Sequence, residues 1–344
     1  MLIVNWYLSD LFACGHIRGE LIAREINKHF PNMLINCKTD ILMSDFYKTN
    51  VMVFQRQSSM DILDKMKIAR NSGIKCIYEL DDDMFNMPPE FDKPYKYYSQ
   101  PHVQKAMDMF LMNADEITTT TKTLADTIRH RTLGQKIHVV PNYIDIDNWQ
   151  EGYIAKMENP SDDVTIGWMA SGSHQIDASI ISDTLHKLML RHKNVKLQLI
   201  GWIAEEQFPW LADFKDRVIM DAWIDISILP LAMAKFDIGL APLADNTFNK
   251  SKSNIKFLQY SALGAPCVAS PLPPYSEDIV NGVNGFLANS PEDWEEYLER
   301  LITDRPFRMG MATEARKLLV NKYDIRLNIS RWIEIFDGIV KDKR

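Results

Sequence analysis

Short β-rich runs alternate with helical stretches along the whole chain. A chain patterned in this way buries its apolar faces as parallel sheets covered by helices. In the first half, residues 2–7, 33–37, 51–54, 75–79, 116–119 and 137–140 read as strands, with helices at 19–29, 60–71, 103–113 and 122–131. A polar stretch at 148–163, containing Gly152, Asn159 and Pro160, interrupts the pattern and reads as a domain boundary. A second series follows, with strands at 165–168, 196–200, 217–220, 237–241, 267–269 and 285–287 and helices at 176–190, 253–263, 291–303 and 311–321. At 344 residues the chain exceeds what one hydrophobic core usually serves. The expectation is therefore an α/β protein of two doubly wound, Rossmann-like domains, 1–150 and 160–322, facing a cleft where their strand C-termini meet.

The last segment, 323–344, carries Ile329, Trp332, Ile333, Phe336, Ile339 and Val340, a spacing that makes one apolar stripe on a helix. The stripe must pack on something. Docking back on the first domain and docking on its own domain both satisfy it.

Charge and cysteine content narrow the function classes. The net charge is −7, with 17 basic and 19 acidic residues in 1–150 and 22 basic and 27 acidic beyond. That balance excludes a global nucleic-acid footprint and leaves only a local basic groove open, so DNA stays among the conceivable partners. Cys14, Cys37, Cys76 and Cys267 have neither a pairing nor a zinc-like spacing, which suits a reducing compartment. The opening run 1–8 is too short to span a bilayer and has no basic region before it. A cytoplasmic chain without a transmembrane segment is expected.

Four places could carry chemistry. In the stretch 236–270 a strand ends at Pro242 and a polar loop follows. A helix then opens near Ser251 or Ser253, either of which can cap it, with Asn249, Lys250, Lys252 and Lys256 close by. Free N–H groups and the positive end of the dipole make such a helix start an anion site; a solvated Lys/Ser helix start is the competing reading. The loop from Gly167 through Ser171, Gly172, Ser173 and His174 to Asp177 follows a strand and precedes a helix, where small residues let backbone N–H groups approach phosphates. It matches neither a dinucleotide fingerprint nor a P-loop, and a lone histidine there is more often structural than catalytic. Gly15 and His16 lie between the first strand and first helix, another place where a doubly wound sheet puts ligands. Asp81, Asp82 and Asp83 form an acidic run at a strand end, mutually repulsive unless something cationic or hydrogen-bonding holds them. Metal binding through Asp81 and Asp83, contact with hydroxyl groups, and a simple strand-end cap all fit that run.

Taken jointly, several motifs resemble glycosyltransferase family 4 of the GT-B superfamily, and more closely its bacterial and phage branch. They are Glu79-Leu-Asp-Asp-Asp83, Ala114 to Thr121, Val140-Pro-Asn-Tyr-Ile-Asp145, Phe236 to Ala241, Lys256 to Ser270 and Ile279 to Leu287. The resemblance covers nearly the whole chain. It implies a transferase that takes a sugar from a nucleoside-diphosphate donor held by the second domain, with retention, no metal and no permanently bound cofactor. The family's paired glutamates, eight positions apart, fall on Ser251 and Gln259, so the ribose contact would pass to Gln259. The family's phosphate-binding arginine is Trp168 here, which shifts the expected phosphate charge to Lys252 and Lys256, with Ser253 beside them.

Magnitudes explain the weight on lysines. A millionfold acceleration needs about 8 kcal/mol, while a helix terminus supplies at most roughly 2 and a charge-assisted hydrogen bond about 1.5 to 3. Several donors must converge. The acceptor stays open among glycan, protein, small molecule and a hydroxylated base of phage DNA. A ligand-binding protein without turnover, a nucleotide-sugar epimerase and a sugar phosphorylase are the alternatives on the same fold.

Overall fold

The computed structural model describes residues 1–170, 174–201 and 205–342, and the statements below concern those. They contain two six-stranded sheets, each parallel throughout. The first runs through β1 (Leu2–Tyr7), β2 (Met33–Lys38), β3 (Val51–Gln55), β4 (Lys75–Leu80), β5 (Glu116–Thr119) and β6 (Lys136–Val139), in the order β2-β1-β3-β4-β5-β6. The second comprises β7 (Val164–Ala170), β8 (Val195–Gly201), β9 (Val218–Asp221), β10 (Ile238–Ala241), β11 (Cys267–Ala269) and β12 (Phe286–Leu287), in the order β12-β11-β10-β7-β8-β9. From the other edge the second sheet reads as the Rossmann strand order, and the first follows the flavodoxin-like order with one strand added. Each order reverses once, between β1 and β3 and between β7 and β10. Those are the switch points where open α/β sheets bind ligands.

The strands form because their sequences suit burial on both faces. Every residue of β3, Val-Met-Val-Phe-Gln, is buried, whereas the edge strand β6 is largely exposed or half-buried. Central parallel strands read as continuous apolar runs for this reason. Helices are fixed at their starts by side chains. Ser290 and Asp293 make a reciprocal capping box on Pro291–Thr303, and Asp145 accepts the Asp147 and Asn148 N–H groups at the start of Ile146–Glu158.

Contacts divide the chain into two compact units. The first holds Met1–Tyr143, Ser251–Ser253 and residues 325–342; the second holds Ile144–Lys250 and Asn254–Asp324. Three sequence expectations are corrected here. Residues 148–163 are mostly the helix Ile146–Glu158 rather than a linker, with Ile146, Trp149 and Gly152 buried. Gly152 reads as a breaker but is a contact residue, since a Cβ there would sit 2.4 Å from the Pro230 carbonyl oxygen. Neither Ser251 nor Ser253 caps the following helix: Ile255–Ala262 starts after Asn254, while Ser251 ends the short helix Thr247–Ser251. In the closing helix, Ser330–Lys341, the buried face is Trp332, Ile335, Phe336 and Ile339, and Val340 is exposed. That face lies on the first sheet, with the Trp332 ring centroid 4.9 Å from that of Trp6.

Candidate functional site

At the carboxyl ends of β7 and β10 a buried polar network assembles around Asp177. Its Oδ2 lies 2.6 Å from His174 Nδ1. Its Oδ1 accepts the Ala244 N–H at 2.7 Å and the Asn249 side-chain amide at 3.1 Å. Asn249 also donates to the Ala244 carbonyl at 3.0 Å, so one carboxylate and one amide fix the loop that follows β10. Lys256 Nζ stands 3.0 Å from His174 Nε2. An ammonium can only donate, so Nε2 accepts and the ring proton sits on Nδ1, facing Asp177. The imidazole is thereby held neutral in one orientation between an anion and a cation. Trp168, buried on β7, meets the His174 ring edge to face at 6.2 Å.

Three side-chain amide acceptors in this unit are buried without a hydrogen-bond partner among the described residues: Gln198 Oε1 on β8, Asn249 Oδ1 and Gln259 Oε1. A buried orphan acceptor at a switch point is a place for a donor from water or ligand. Gly167 has a different explanation from phosphate approach. It lies inside β7, where a Cβ would come within 2.1 Å of the Phe236 ring, so packing alone requires glycine. Ser171, Gly172 and Ser173 lie outside the described residues.

Lys252 and Ser253 group with the first unit, apart from Lys256 and Gln259. Ser253 Oγ accepts from Asn142 at 2.9 Å, the Ser251 carbonyl accepts from Thr121 Oγ1 at 2.9 Å, and the Lys252 ammonium lies 5.9 Å from the Phe91 ring centroid.

The carboxyl end of the first sheet is built from buried ion pairs. Arg18 and Glu79 are both buried, with Nε donating to Oε1 at 2.6 Å. Arg18 Nη1 donates to the Val140 carbonyl at 2.7 Å, and its guanidinium lies over the Trp332 ring at 5.3 Å. Burial pushes the Glu79 carboxyl up to about 7, against the opposing pull of Arg18. Gln55, Glu79 and Thr118 stand side by side across β3, β4 and β5. Gln55 Oε1, Glu79 Oε2 and Thr118 Oγ1 in this row, and Arg18 Nη2 beside it, are buried without hydrogen-bond partners.

The three aspartates have three environments. Asp81 is buried, with Oδ1 3.2 Å from Arg56 Nε. Arg56 itself adopts φ +51°, rare for a residue other than glycine, and its N–H donates to the Glu79 carbonyl at 2.9 Å. Asp82 is half-buried. Asp83 is fully buried and caps its own turn, accepting from the Phe85 N–H at 3.2 Å and the Asn86 side chain at 2.8 Å. Burial raises its carboxyl above the usual range. Asp81 and Asp83 thus face different partners, and among the described residues no three His, Cys, Asp or Glu side chains group as a metal site. His16 lies in a π-helical turn, His16–Glu20, with Nδ1 3.1 Å from Glu20 Oε2. Gly15 donates its N–H to Asp10 Oδ1 at 3.2 Å, and a Cβ there would meet the Asp10 carbonyl oxygen at 2.0 Å.

Sequence reasoning missed Asp177 as a site residue and missed the partners Arg18, Gln55 and Arg56. An acid three residues after His174 at a helix start was the available signal for Asp177. The arginines pair across tens of residues, which no local pattern shows.

Known proteins share parts of this sequence and its fold. Residues 164–304 match the family described as "Glycosyl transferases group 1". A stretch of 136 residues is 24% identical to chitobiosyldiphosphodolichol beta-mannosyltransferase of Candida albicans, covering 38% of this chain and only 28% of that protein's length. Anabaena HepE, solved with UDP-glucose, superposes with a TM-score of 0.72 at 14% identity over 98% of this chain and 100% of that one. A glycosyltransferase from Rickettsia africae gives 0.68 at 14% identity, covering 99% of each chain. Residues 164–304 thus match the group 1 glycosyl transferase model, and the chain shares the two-domain α/β fold of these solved GT-B structures.

Proposed function

We propose that the chain is a glycosyltransferase that moves a sugar from a nucleoside-diphosphate donor to an acceptor hydroxyl, with retention and without a metal or a permanently bound cofactor. The observation that carries this reading is the His174–Asp177–Asn249–Lys256 network at the switch point of the domain with the group 1 match. A cation beside a neutral, fixed imidazole suits a diphosphate, whose charge must be met by side chains and backbone N–H groups when no metal does so. The open acceptors on Asn249 and Gln259 suit the hydroxyl and N–H donors of a nucleoside. Lys252 and Ser253 are the further phosphate candidates.

In the first unit the acceptor reading rests on the mixed row of orphan donors and acceptors. A hydroxyl group both donates and accepts, so it satisfies a row containing Gln55 Oε1, Glu79 Oε2 and Arg18 Nη2 better than an apolar ligand does. Asp81 and Asp82, with His16, are proposed to contact the sugar or acceptor. Asp83 is proposed to hold their turn in shape. The acceptor is proposed to be a hydroxyl-bearing molecule of the glycan, protein, small-molecule or modified-base classes. The test is a screen of nucleotide sugars with the full chain, reading release of nucleoside diphosphate with and without acceptor mixtures. Turnover that survives chelator and disappears in Lys256→Ala supports the proposal. Absence of turnover with every donor, despite nucleotide binding, would favour a binding protein instead.

A further inference from the structure

At the amino ends of β7, β8 and β10 the second unit forms a half-open cavity of about 580 Å³. It opens at the end of the sheet opposite His174 and Asn249, roughly 20 Å away along the seven residues of β7. Its volume falls within the range of small-molecule sites, on the order of 300 to 1,000 Å³. Five cations line it, Lys156, Lys196, Lys235, Arg305 and Arg308, against the two carboxylates Asp163 and Asp237. Five minus two gives a formal +3, in a chain whose net charge is −7.

The two acids are already engaged. Asp163 pairs with Lys196 at 2.6 Å, and Asp237 accepts the Thr165 N–H at 2.9 Å while standing 3.8 Å from Lys156. Among the described residues no salt bridge pairs Lys235, Arg305 or Arg308 with a carboxylate. Arg305 and Arg308 also occupy the first turn of the helix Arg305–Lys322, a turn that itself contains no acid although Asp304 caps it. Arg308 is buried and donates through Nη1 to the Leu301 and Ile302 carbonyls, whereas Arg305 is exposed at a helix start that disfavours cations and adds to the positive potential of the cavity. Lys156 has only 9% of its side chain exposed. Burial, reinforced by Arg308, pushes its ammonium down to about 8 against the pull of Asp237. The remaining wall includes Ile219, Leu231 and Met309, which are apolar.

We propose that this cavity binds a small phosphorylated molecule, its phosphate among Lys156, Lys235, Arg305 and Arg308 and its organic part against the apolar wall. The site lies apart from the network proposed for the sugar donor and would act as a second, regulatory position. Multivalent anions are what a cavity with surplus positive charge and a low-dielectric wall concentrates.

The test uses the full chain with methyl-labelled methionine and inorganic pyrophosphate as probe. Met157 and Met309 line the cavity, and their signals are assigned with Met157→Leu and Met309→Leu. Pyrophosphate is expected to shift both signals saturably, and Lys235→Ala combined with Arg305→Ala is expected to weaken that binding at least tenfold. Lys235 and Arg305 are exposed, so the double variant is expected to keep the wild-type melting temperature. If the Met157 and Met309 signals do not move, or if the double variant binds with unchanged affinity, the proposal is wrong. Lys156→Met provides a second check inside the cavity, because it keeps the volume while removing the buried charge, and should also weaken binding.

Discussion

The carboxyl ends of the two sheets are built on different electrostatic plans. In the first, cations and acids are already matched inside the protein: Arg18 with Glu79 and Arg56 with Asp81. In the second, the acid Asp177 is used to hold a loop and a histidine, and Lys256 stands over the neutral imidazole. A matched cluster presents polar groups to a neutral ligand such as a hydroxyl. A cation on a rigid neutral mount presents positive charge to an anion. On the proposed reading the contrast is one of function as well as composition, and it can be broken from either side.

The largest effect is expected at the first sheet. Arg18→Ala leaves the Glu79 carboxyl buried without its cation, and breaking such a pair costs about 3 to 5 kcal/mol. Denaturant unfolding checks it, and a loss under 1 kcal/mol would mean that the pair is not integral to the fold. At the second sheet Asp177→Ala strands the Ala244 N–H and frees the Asn249 amide and His174, with an expected loss of about 1 to 3 kcal/mol together with weakened nucleotide binding. A stability loss without a binding loss would detach this network from the donor.

The pH dependence separates the two ends further. Glu79 has its folded-state value raised from 4.5 to about 7, so the folded chain holds that proton more tightly than the unfolded chain does. Its contribution to stability is fully present below 4.5 and is lost as pH rises toward 7. Glu79→Gln removes this dependence, so the stability of wild type relative to the variant should fall across that window. A rising difference would reverse the assigned sign. The smallest effect belongs to Lys252→Ala. This half-buried lysine near an aromatic ring is expected to change folding by within about 0.5 kcal/mol, and a loss of transfer at unchanged stability would assign it to ligand contact.

How far the sequence reaches depends on the range of each interaction. Strands such as Val51–Gln55 and Cys267–Ala269 are legible because burial on both faces writes an uninterrupted apolar run into a few consecutive residues. The helix Ile146–Glu158 is not, because its exposed face is polar and its Gly152 is dictated by Pro230, far along the chain. Within the candidate site, His174, Asn249 and Lys256 stand out as polar residues in loops or helix starts after strands, while Gln259, in the middle of a helix, is reached only through the family resemblance. Their organiser, Asp177, is chosen by Ala244 and Asn249, 67 and 72 positions away, and Arg18 by Glu79 at a distance of 61. Local pattern names the residues that a ligand would meet. The side chains that hold them are set by the sheet order.

The central claim is that the nucleoside diphosphate is held at the second sheet and not at the first. The most direct measurement is calorimetric titration of uridine, guanosine, thymidine and adenosine diphosphates into the wild-type chain, Lys256→Ala and Asp81→Asn. For the nucleotide that binds best, loss of a charge-assisted contact of about 1.5 to 3 kcal/mol predicts roughly 10- to 150-fold weaker binding in Lys256→Ala. Asp81→Asn should stay within about twofold of wild type, since it alters no group assigned to the nucleotide. Unchanged affinity in Lys256→Ala together with a large loss in Asp81→Asn would contradict the account and place the nucleotide at the first sheet.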